Sequence, residues 1–206
     1  PRQVAGPLPP GAVIAVLREF HGRMARAVCA HGGTLHKFLG DGLMASFDAT
    51  ALSDAVQPTK PTAERALDCL DAIQAAMNDW NRARAAAGEP PLRLAIGLHL
   101  GPVVTGDVGD ARCLEFAILG DTVNVASRLE GLCRPLGASA VVSRDVVAAA
   151  PDHPLIARLR PVEGETALPG RDAPMALLQL SLPGADAGVS KDVGEMISPT
   201  PPRSFS

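Results

Sequence analysis

The segment HKFLGDGLMASF, residues 36–47, contains two apolar runs that meet at GDG, residues 40–42. Asp-Gly between two such runs predicts a tight β-hairpin whose two central residues both take positive φ. A hairpin alone explains Asp41 as a turn residue and Lys37 as a solvated charge. Lys37, Leu39 and Asp41 also share one parity, so we expect them on one face of the strand. A lysine and an aspartate placed in this way could hold a polar ligand and a metal ion.

Helical and strand periodicities alternate on both sides of this hairpin. Helical spacing predicts a helix over residues 11–31, ended by two glycines, and a long helix over residues 62–87. The segments LRLAIGLHLG, PVVTGDVG and RCLEFAIL follow as strands, then a helix capped by Asp121, a short strand and a short helix. LIARLRPV and MALLQLSL are predicted as a closing strand pair. The order predicts an α+β fold, a ferredoxin-like sandwich with a mostly antiparallel sheet and helices packed on one side.

Composition narrows the class of protein. The chain has 206 residues, 47% of them hydrophobic, which suffices for one globular domain. A net charge of −3 and an aromatic content of 3% argue against a nucleic-acid-binding surface. The four cysteines are scattered without a CxxC pair, which argues against a zinc site and favours a reducing, cytoplasmic compartment. No apolar run reaches the roughly 18 residues of a membrane span, and no signal peptide is visible.

The chain divides into one domain and a tail. Residues 1–182 carry the periodic segments and form the predicted domain. Residues 183–206 are rich in Gly, Ser and Pro, and they cannot bury enough apolar area to offset the entropy of ordering. We expect this tail to be disordered. The chain begins without Met, so we also expect it to be a piece of a longer protein.

The segment LGDTVNVASRLE, residues 119–130, carries a second polar pair on the predicted helix. Asn124 and Arg128 are four residues apart and therefore share one flank. Val125 and Leu129 form the adjacent stripe that we expect to be buried. For an isolated pair of this kind, a solvated Asn and an Arg that snorkels or pairs with an acid is the simpler interpretation.

Together the two motifs resemble the class III nucleotidyl cyclases, the catalytic domains of adenylate and guanylate cyclases. KFLGDGLMASF, IGLHLGPVVTGDVG and EFAILGDTVNVASRLE follow one another in the family's order, and LPPGAVIAVLREFHGRM is similar to the family's first helix. The resemblance, over residues 8–182, implies conversion of a purine nucleoside triphosphate to the 3′,5′-cyclic nucleotide and pyrophosphate, with ATP favoured over GTP. It also implies intracellular signalling and a head-to-tail homodimer with active sites between the protomers.

The resemblance assigns a role to each motif residue. Asp41 matches one of two aspartates that hold two Mg²⁺ or Mn²⁺ ions per site, hard cations that favour oxygen ligands. Asn124 matches the residue that orients the ribose, and Arg128 matches the arginine that stabilises the pentavalent phosphorus. Lys37 matches the lysine that reads the purine.

Three positions depart from the family pattern. The other metal aspartate, in a D-x-x-G-F strand ahead of the first helix, has no match in PRQVAGPLPP, which contains no acid. We expect either that this chain is cut after that motif, so that the domain lacks its first strand, or that it cannot hold the usual metal pair. Ala117 replaces a base-reading residue, often Asp or Thr in adenylate cyclases, which leaves the choice between ATP and GTP open. Pro169 lies near the position of a triphosphate-binding lysine, for which Arg171 could substitute. A catalytically degenerate module that dimerises or senses a nucleotide is therefore the alternative, and this chain alone could be inactive.

Overall fold

The computed structural model describes residues 10–47, 61–110, 113–164, 166 and 174–181. The elements in chain order are α1 (Pro10–Ala30), β1 (Thr34–Leu39), β2 (Gly42–Ser46), α2 (Thr62–Ala86), β3 (Ile96–Leu98), β4 (Val104–Asp110), β5 (Cys113–Leu119), α3 (Asp121–Leu132), β6 (Ala138–Ser143), α4 (Arg144–Ala149), a 3-10 helix (Pro154–Arg158), β7 (Arg160–Pro161) and β8 (Leu177–Ser181). The predicted α+β class is confirmed.

The described strands form three sheets. One sheet has the order β3-β6-β8-β7, with β3 parallel to β6 and the other pairs antiparallel. β1 and β2 form one antiparallel hairpin, and β4 and β5 form another. Within the described ranges, neither hairpin pairs with the four-stranded sheet. The sheet structure is therefore mostly antiparallel, as the sequence predicts.

Strand β6 lies at the centre of the core, and all six of its residues are buried. Ala140 and Val142 belong to an apolar cluster with Leu67 of α2, whereas Val141 belongs to a cluster with Leu129 of α3. Alternate residues of a strand point to opposite faces, so α2 and α3 cover opposite sides of β6. We expected the helices on one side of the sheet. A strand buried on both faces has no polar alternation that would show which side each helix takes.

The β1–β2 hairpin turns at Gly40 and Asp41, because Leu39 pairs with Gly42. Gly40 has a φ of 62°, while the φ of Asp41 is not positive. One positive φ, at the first central residue, is the pattern of a type II′ turn. The prediction that both central residues take positive φ is therefore wrong, and the glycine before Asp41 is the one that permits the turn.

The segment LIARLRPV is mostly not the predicted strand. Pro154–Arg158 form a 3-10 helix, and only Arg160–Pro161 pair with β8. The Nδ1 atom of His153 accepts a hydrogen bond of 3.2 Å from the backbone N–H of Leu155 at the start of this helix. A side-chain cap followed by proline at the first helical position favours a helical turn over an extended strand.

The predicted boundary between the domain and the tail, at residues 182 and 183, lies outside the described residues. Of the helices in the described ranges, none combines the length and the apolar character needed to cross a membrane.

Candidate active site

Helix α3 rests directly on strand β3 at Gly97. A Cβ atom at this position would lie 1.9 Å from the carbonyl oxygen of Ala126 and 2.5 Å from the backbone nitrogen of Glu130. No side chain fits there, so glycine is required for this approach of strand to helix. The contact holds the stretch of α3 that carries Arg128.

The N-terminus of α3 is tied to the loop after β3. The Thr122 hydroxyl donates a hydrogen bond of 2.6 Å to the carbonyl oxygen of Pro102. Gly120, with a φ of 148°, is the N-cap residue and has no side chain with which to make a cap hydrogen bond. The predicted cap at Asp121 is therefore wrong. Asp121 is the first helical residue, where its carboxylate interacts favourably with the helix dipole.

Asn124 and Arg128 lie on the polar flank of α3, as the sequence predicts. Val125 and Leu129, on the neighbouring stripe, are fully buried. Asn124 is exposed and Arg128 is half-buried. The Nη1 atom of Arg128 is buried and has no hydrogen-bond partner among the described residues. A buried charged donor without an acceptor is costly, and an anionic oxygen of a ligand would satisfy it.

A cavity of about 880 Å³ lies between the β1–β2 hairpin and β3. Asp41, at the hairpin turn, and Asn124 both line it, together with apolar side chains of α1 and α2. Lys37, Ala117 and Arg128 are not among its lining residues. Within one chain, the structure therefore brings two of the predicted site residues to a common cavity and leaves three outside it.

The two predicted base-reading positions lie on strands that contact each other. Lys37 is exposed on β1 opposite Met44, and Ala117 is half-buried on β5 opposite Gly106. β1 contacts β5. Arg171, the predicted triphosphate contact, lies outside the described residues.

Near these elements, one histidine side chain is hydrogen-bonded and two cysteine side chains are buried. The Nδ1 atom of His99 lies 2.9 Å from the Ser143 hydroxyl oxygen, a contact that is typical of a structural histidine. Burial raises the pKa of the Cys69 thiol to about 12 and that of the Cys133 thiol to about 11. Both line the cavity, yet thiols with such pKa values are not nucleophiles at neutral pH.

The sequence did not identify Gly97 or Thr122 as residues that position α3. A lone glycine inside an apolar strand is a signal for a close backbone approach. The hydrogen bond of Thr122 spans 20 residues of sequence, so no local pattern predicts it.

The described residues do not form the two-ion metal site that the resemblance implies. They contain no group of three or more His, Cys, Asp or Glu side chains that could hold a metal ion. Asp41 offers a carboxylate of the kind that Mg²⁺ and Mn²⁺ favour, but one carboxylate does not hold two ions. Other ligands would have to come from outside the described residues.

Residues 3–152 match the family model of the adenylate and guanylate cyclase catalytic domain. The chain belongs to this family. It is 35% identical over 171 residues to adenylate cyclase 1 of Rhizobium meliloti (strain 1021), covering 83% of this chain and 24% of that protein. It is 31% identical over 139 residues to the adenylate cyclase of Anabaena cylindrica, covering 66% and 26%. The chain thus spans about a quarter of the length of these two curated relatives.

Solved cyclase structures share the fold. The guanylyl cyclase Cya2 superposes with a TM-score of 0.67 and 27% identity, covering 91% of this chain and 86% of that one. The adenylyl cyclase CyaB from P. aeruginosa superposes with a TM-score of 0.68 and 24% identity, covering 88% of each chain. One of these neighbours is named a guanylyl cyclase and the other an adenylyl cyclase, so the shared fold does not by itself select ATP or GTP.

Proposed function

We propose that this chain is the catalytic domain of a cytoplasmic class III nucleotide cyclase. It converts ATP, or less readily GTP, into the 3′,5′-cyclic nucleotide and pyrophosphate as a step in intracellular signalling. The observation that carries the proposal is the buried Nη1 of Arg128, which has no acceptor among the described residues and lies one helical turn from the exposed Asn124. The names of the curated relatives favour ATP.

The reaction joins the ribose 3′-oxygen to the α-phosphorus and breaks the bond from that phosphorus to the bridging oxygen of the leaving pyrophosphate. The 3′-hydroxyl proton leaves as the new bond forms. Negative charge grows on the α-phosphoryl oxygens and on the leaving group. We assign the Arg128 guanidinium to receive that charge, because a preorganised cation of this kind stabilises the transition state more than the bound substrate.

Asn124 and Asp41 take the supporting roles. The amide of Asn124 orients the ribose, so that the 3′-oxygen stays near the α-phosphorus in a reactive geometry. Two Mg²⁺ or Mn²⁺ ions, when bound, lower the pKa of the 3′-hydroxyl and neutralise the triphosphate. The Asp41 carboxylate is the ligand that the described residues would contribute to those ions.

The purine is read by Lys37, with Ala117 beside it. The methyl group of Ala117 cannot form a hydrogen bond. It therefore adds no binding energy for the correct base, and it leaves no polar group without a partner when the wrong base binds. We expect a preference for ATP that is weaker than in a site with a polar side chain at this position. Arg171 is proposed as a contact of the triphosphate.

The active enzyme is a head-to-tail homodimer, with Lys37 from one protomer and Asn124 and Arg128 from the other. The β4–β5 hairpin supports this proposal, because three of its apolar side chains are exposed: Val104 is 71% exposed, Val108 53% and Leu119 58%. A group of exposed apolar side chains on an arm that leaves the main sheet is typical of an interface with another protein.

The test uses the longer protein that contains this chain. It is incubated with ATP or GTP and Mn²⁺, and the cyclic nucleotide and pyrophosphate are quantified. We expect the two products in equal amounts, more from ATP than from GTP, and about 100-fold less or lower still from an Arg128→Ala variant that folds normally. Nucleotide binding without cyclic product would favour a sensing module instead.

A further inference from the structure

The glycine in the middle of β4 is not required by the packing of the described residues. Gly106 is exposed, and a Cβ atom built on it would meet no heavy atom of those residues within 4 Å, its chain neighbours aside. Its φ is not positive, so other residues can adopt its backbone conformation. Gly97 differs, because α3 leaves no room for a side chain there. Since glycine weakens a strand, we looked for a reason for Gly106 outside the fold of the single chain.

The register of the β4–β5 hairpin places Gly106 directly opposite Ala117. Residues that are paired in this way in an antiparallel hairpin lie on the same face of it. Ala117 is half-buried and is the position that we propose beside the purine. Gly106 is therefore the direct cross-strand neighbour of a base-reading position, and the two residues together present a single methyl group.

Larger apolar side chains lie on the same face, on both sides of this pair. Val104 is paired with Leu119, and Val108 lies two residues beyond Gly106 on β4. Alternate residues of a strand share a face, so all three belong to the face of Gly106 and Ala117. Each of them is more than half exposed. The face therefore has a gap at Gly106 and Ala117 that is bordered by apolar side chains at either end.

We propose that the purine ring of the substrate lies in this gap, against the backbone of Gly106, and that Gly106 is a specificity-determining residue. The inference rests on the proposed function, because the role of Ala117 beside the base is part of that function. A glycine inside a strand is typical of a place where a ligand approaches the backbone closely. An apolar border suits the flat faces of a purine, since ligand pockets are lined mainly by apolar groups.

The proposed homodimer turns the gap into a slot. A partner surface that rests on Val104, Val108 and Leu119 passes over Gly106 and Ala117, and it encloses the space between them and itself. A flat ring enters such a slot, whereas a side chain at position 106 would fill it. Neither Gly106 nor Ala117 has a polar side-chain atom, so this part of the site selects a base by its shape and not by hydrogen bonds.

Isothermal titration calorimetry of the longer protein, with Mn²⁺ and 3′-deoxy-ATP, tests the gap. This analogue has the adenine ring but lacks the 3′-hydroxyl, so it binds without turnover. Gly106→Val fills the gap and should raise the Kd at least about 10-fold, because it overpacks a close contact. Gly106→Ala adds one carbon and should raise the Kd less. Thr105→Val is the matched control on the opposite face of β4, and it should keep the Kd within about 2-fold of the wild type.

A second ligand separates the base from the rest of the site. Ribose 5′-triphosphate keeps the sugar and the phosphates but has no base. Its Kd should be the same for Gly106→Val as for the wild type. Sedimentation velocity at the protein concentration of the titration should give the same dimer fraction for both proteins.

Each outcome supports or overturns the proposal. Unchanged affinity of Gly106→Val for 3′-deoxy-ATP overturns it, and so do equal losses of affinity for the two ligands. A lower dimer fraction in Gly106→Val assigns the gap to the backbone of a second copy and also overturns it. Cyclic product is measured on the wild-type sample. Cyclic product with unchanged affinity in Gly106→Val overturns the purine gap alone, and a selective loss of 3′-deoxy-ATP binding without wild-type cyclic product overturns the proposed function alone.

Discussion

Gly97 of β3 lies directly against Ala126 of α3, where a Cβ atom at position 97 would be 1.9 Å from the Ala126 carbonyl oxygen. This contact between strand and helix backbones sets the position of α3 on the sheet. Asn124 and Arg128 occupy that helix, so their placement depends on a residue that has no side chain.

Gly97→Ala should therefore destabilise the protein and displace α3. We expect the free energy of unfolding to fall by about 1–3 kcal/mol, the cost of overpacking a core contact. The measurement is urea denaturation of the longer protein, with cyclic nucleotide production assayed on the folded fraction. Gly106→Ala is the matched control, because no heavy atom lies within 4 Å of a Cβ built there. Equal stability of the two variants would contradict the close approach.

A buried hydrogen-bond chain links α2 to the sheet. The amide of Gln74 donates to the Ser139 hydroxyl at 2.9 Å, and that hydroxyl donates to the Leu180 carbonyl oxygen at 3.1 Å. Ser139→Ala should cost about 1–3 kcal/mol, because it leaves the buried Gln74 amide without its acceptor. Adding Gln74→Met should recover part of that loss. Additive losses in thermal denaturation of the double variant would show that the two side chains are not coupled.

The buried thiols predict a loss of stability at alkaline pH. Burial raises the pKa of the Cys69 thiol to about 12 in the folded state, against an ordinary value of 9.0. The unfolded chain therefore loses the thiol proton at a lower pH than the folded protein does. The stability that the buried, protonated thiol contributes is complete below pH 9.0 and disappears towards about pH 12. Cys69→Ala should flatten the stability profile over this window in urea denaturation. An unchanged slope in the variant would contradict the assignment.

The same burial predicts selective alkylation. At pH 8 a thiol-directed reagent should label Cys29, which is exposed, long before the buried Cys69 and Cys133. Peptide mass spectrometry reads the order directly. Rapid labelling of Cys133 in the folded protein would mean that the packing of α3 on the sheet opens readily.

How far the sequence predicts this molecule can be judged from particular residues. The stripe of Val125 and Leu129 predicts α3 and the flank that carries Asn124 correctly, because helical periodicity is a local signal. The turn at Asp41 and the cap at Asp121 were assigned wrongly. In both cases the glycine just before the aspartate has the positive φ and occupies the turn or N-cap position instead.

The remaining differences arise from packing over long distances in sequence. The hydrogen bond from Thr122 to Pro102 has no local signature, and the glycine at position 97 signals a close backbone approach without showing that α3 is the partner. The two faces of β6 are both buried, so its sequence could not show that α2 and α3 lie on opposite sides. The site roles stay predictions for all six residues: Lys37, Asp41, Ala117, Asn124, Arg128 and Arg171.

The shared active site predicts complementation between two inactive chains. Lys37→Ala and Arg128→Ala damage different halves of a head-to-tail site, so a heterodimer keeps one intact site. Equal mixing should restore about one quarter of the wild-type rate, because half of randomly formed dimers are heterodimers and each has one intact site of two. The control mixes Lys37→Ala with itself. Heterodimers that form, as seen by tagged co-purification, but stay inactive would place both residues in the same site of one protomer.

The most direct test of the proposed chemistry is the kcat of Arg128→Ala in the longer protein. The guanidinium meets charge that develops only as the 3′-oxygen attacks, so its loss should lower kcat by about 10²-fold or more and change KM little. Arg128→Lys keeps the positive charge but lacks the planar guanidinium, so its kcat should lie between those of the wild type and Arg128→Ala. If the folded Arg128→Ala enzyme, with a normal circular dichroism spectrum, turns over at the wild-type kcat, Arg128 is not a catalytic residue and the account of the site is wrong.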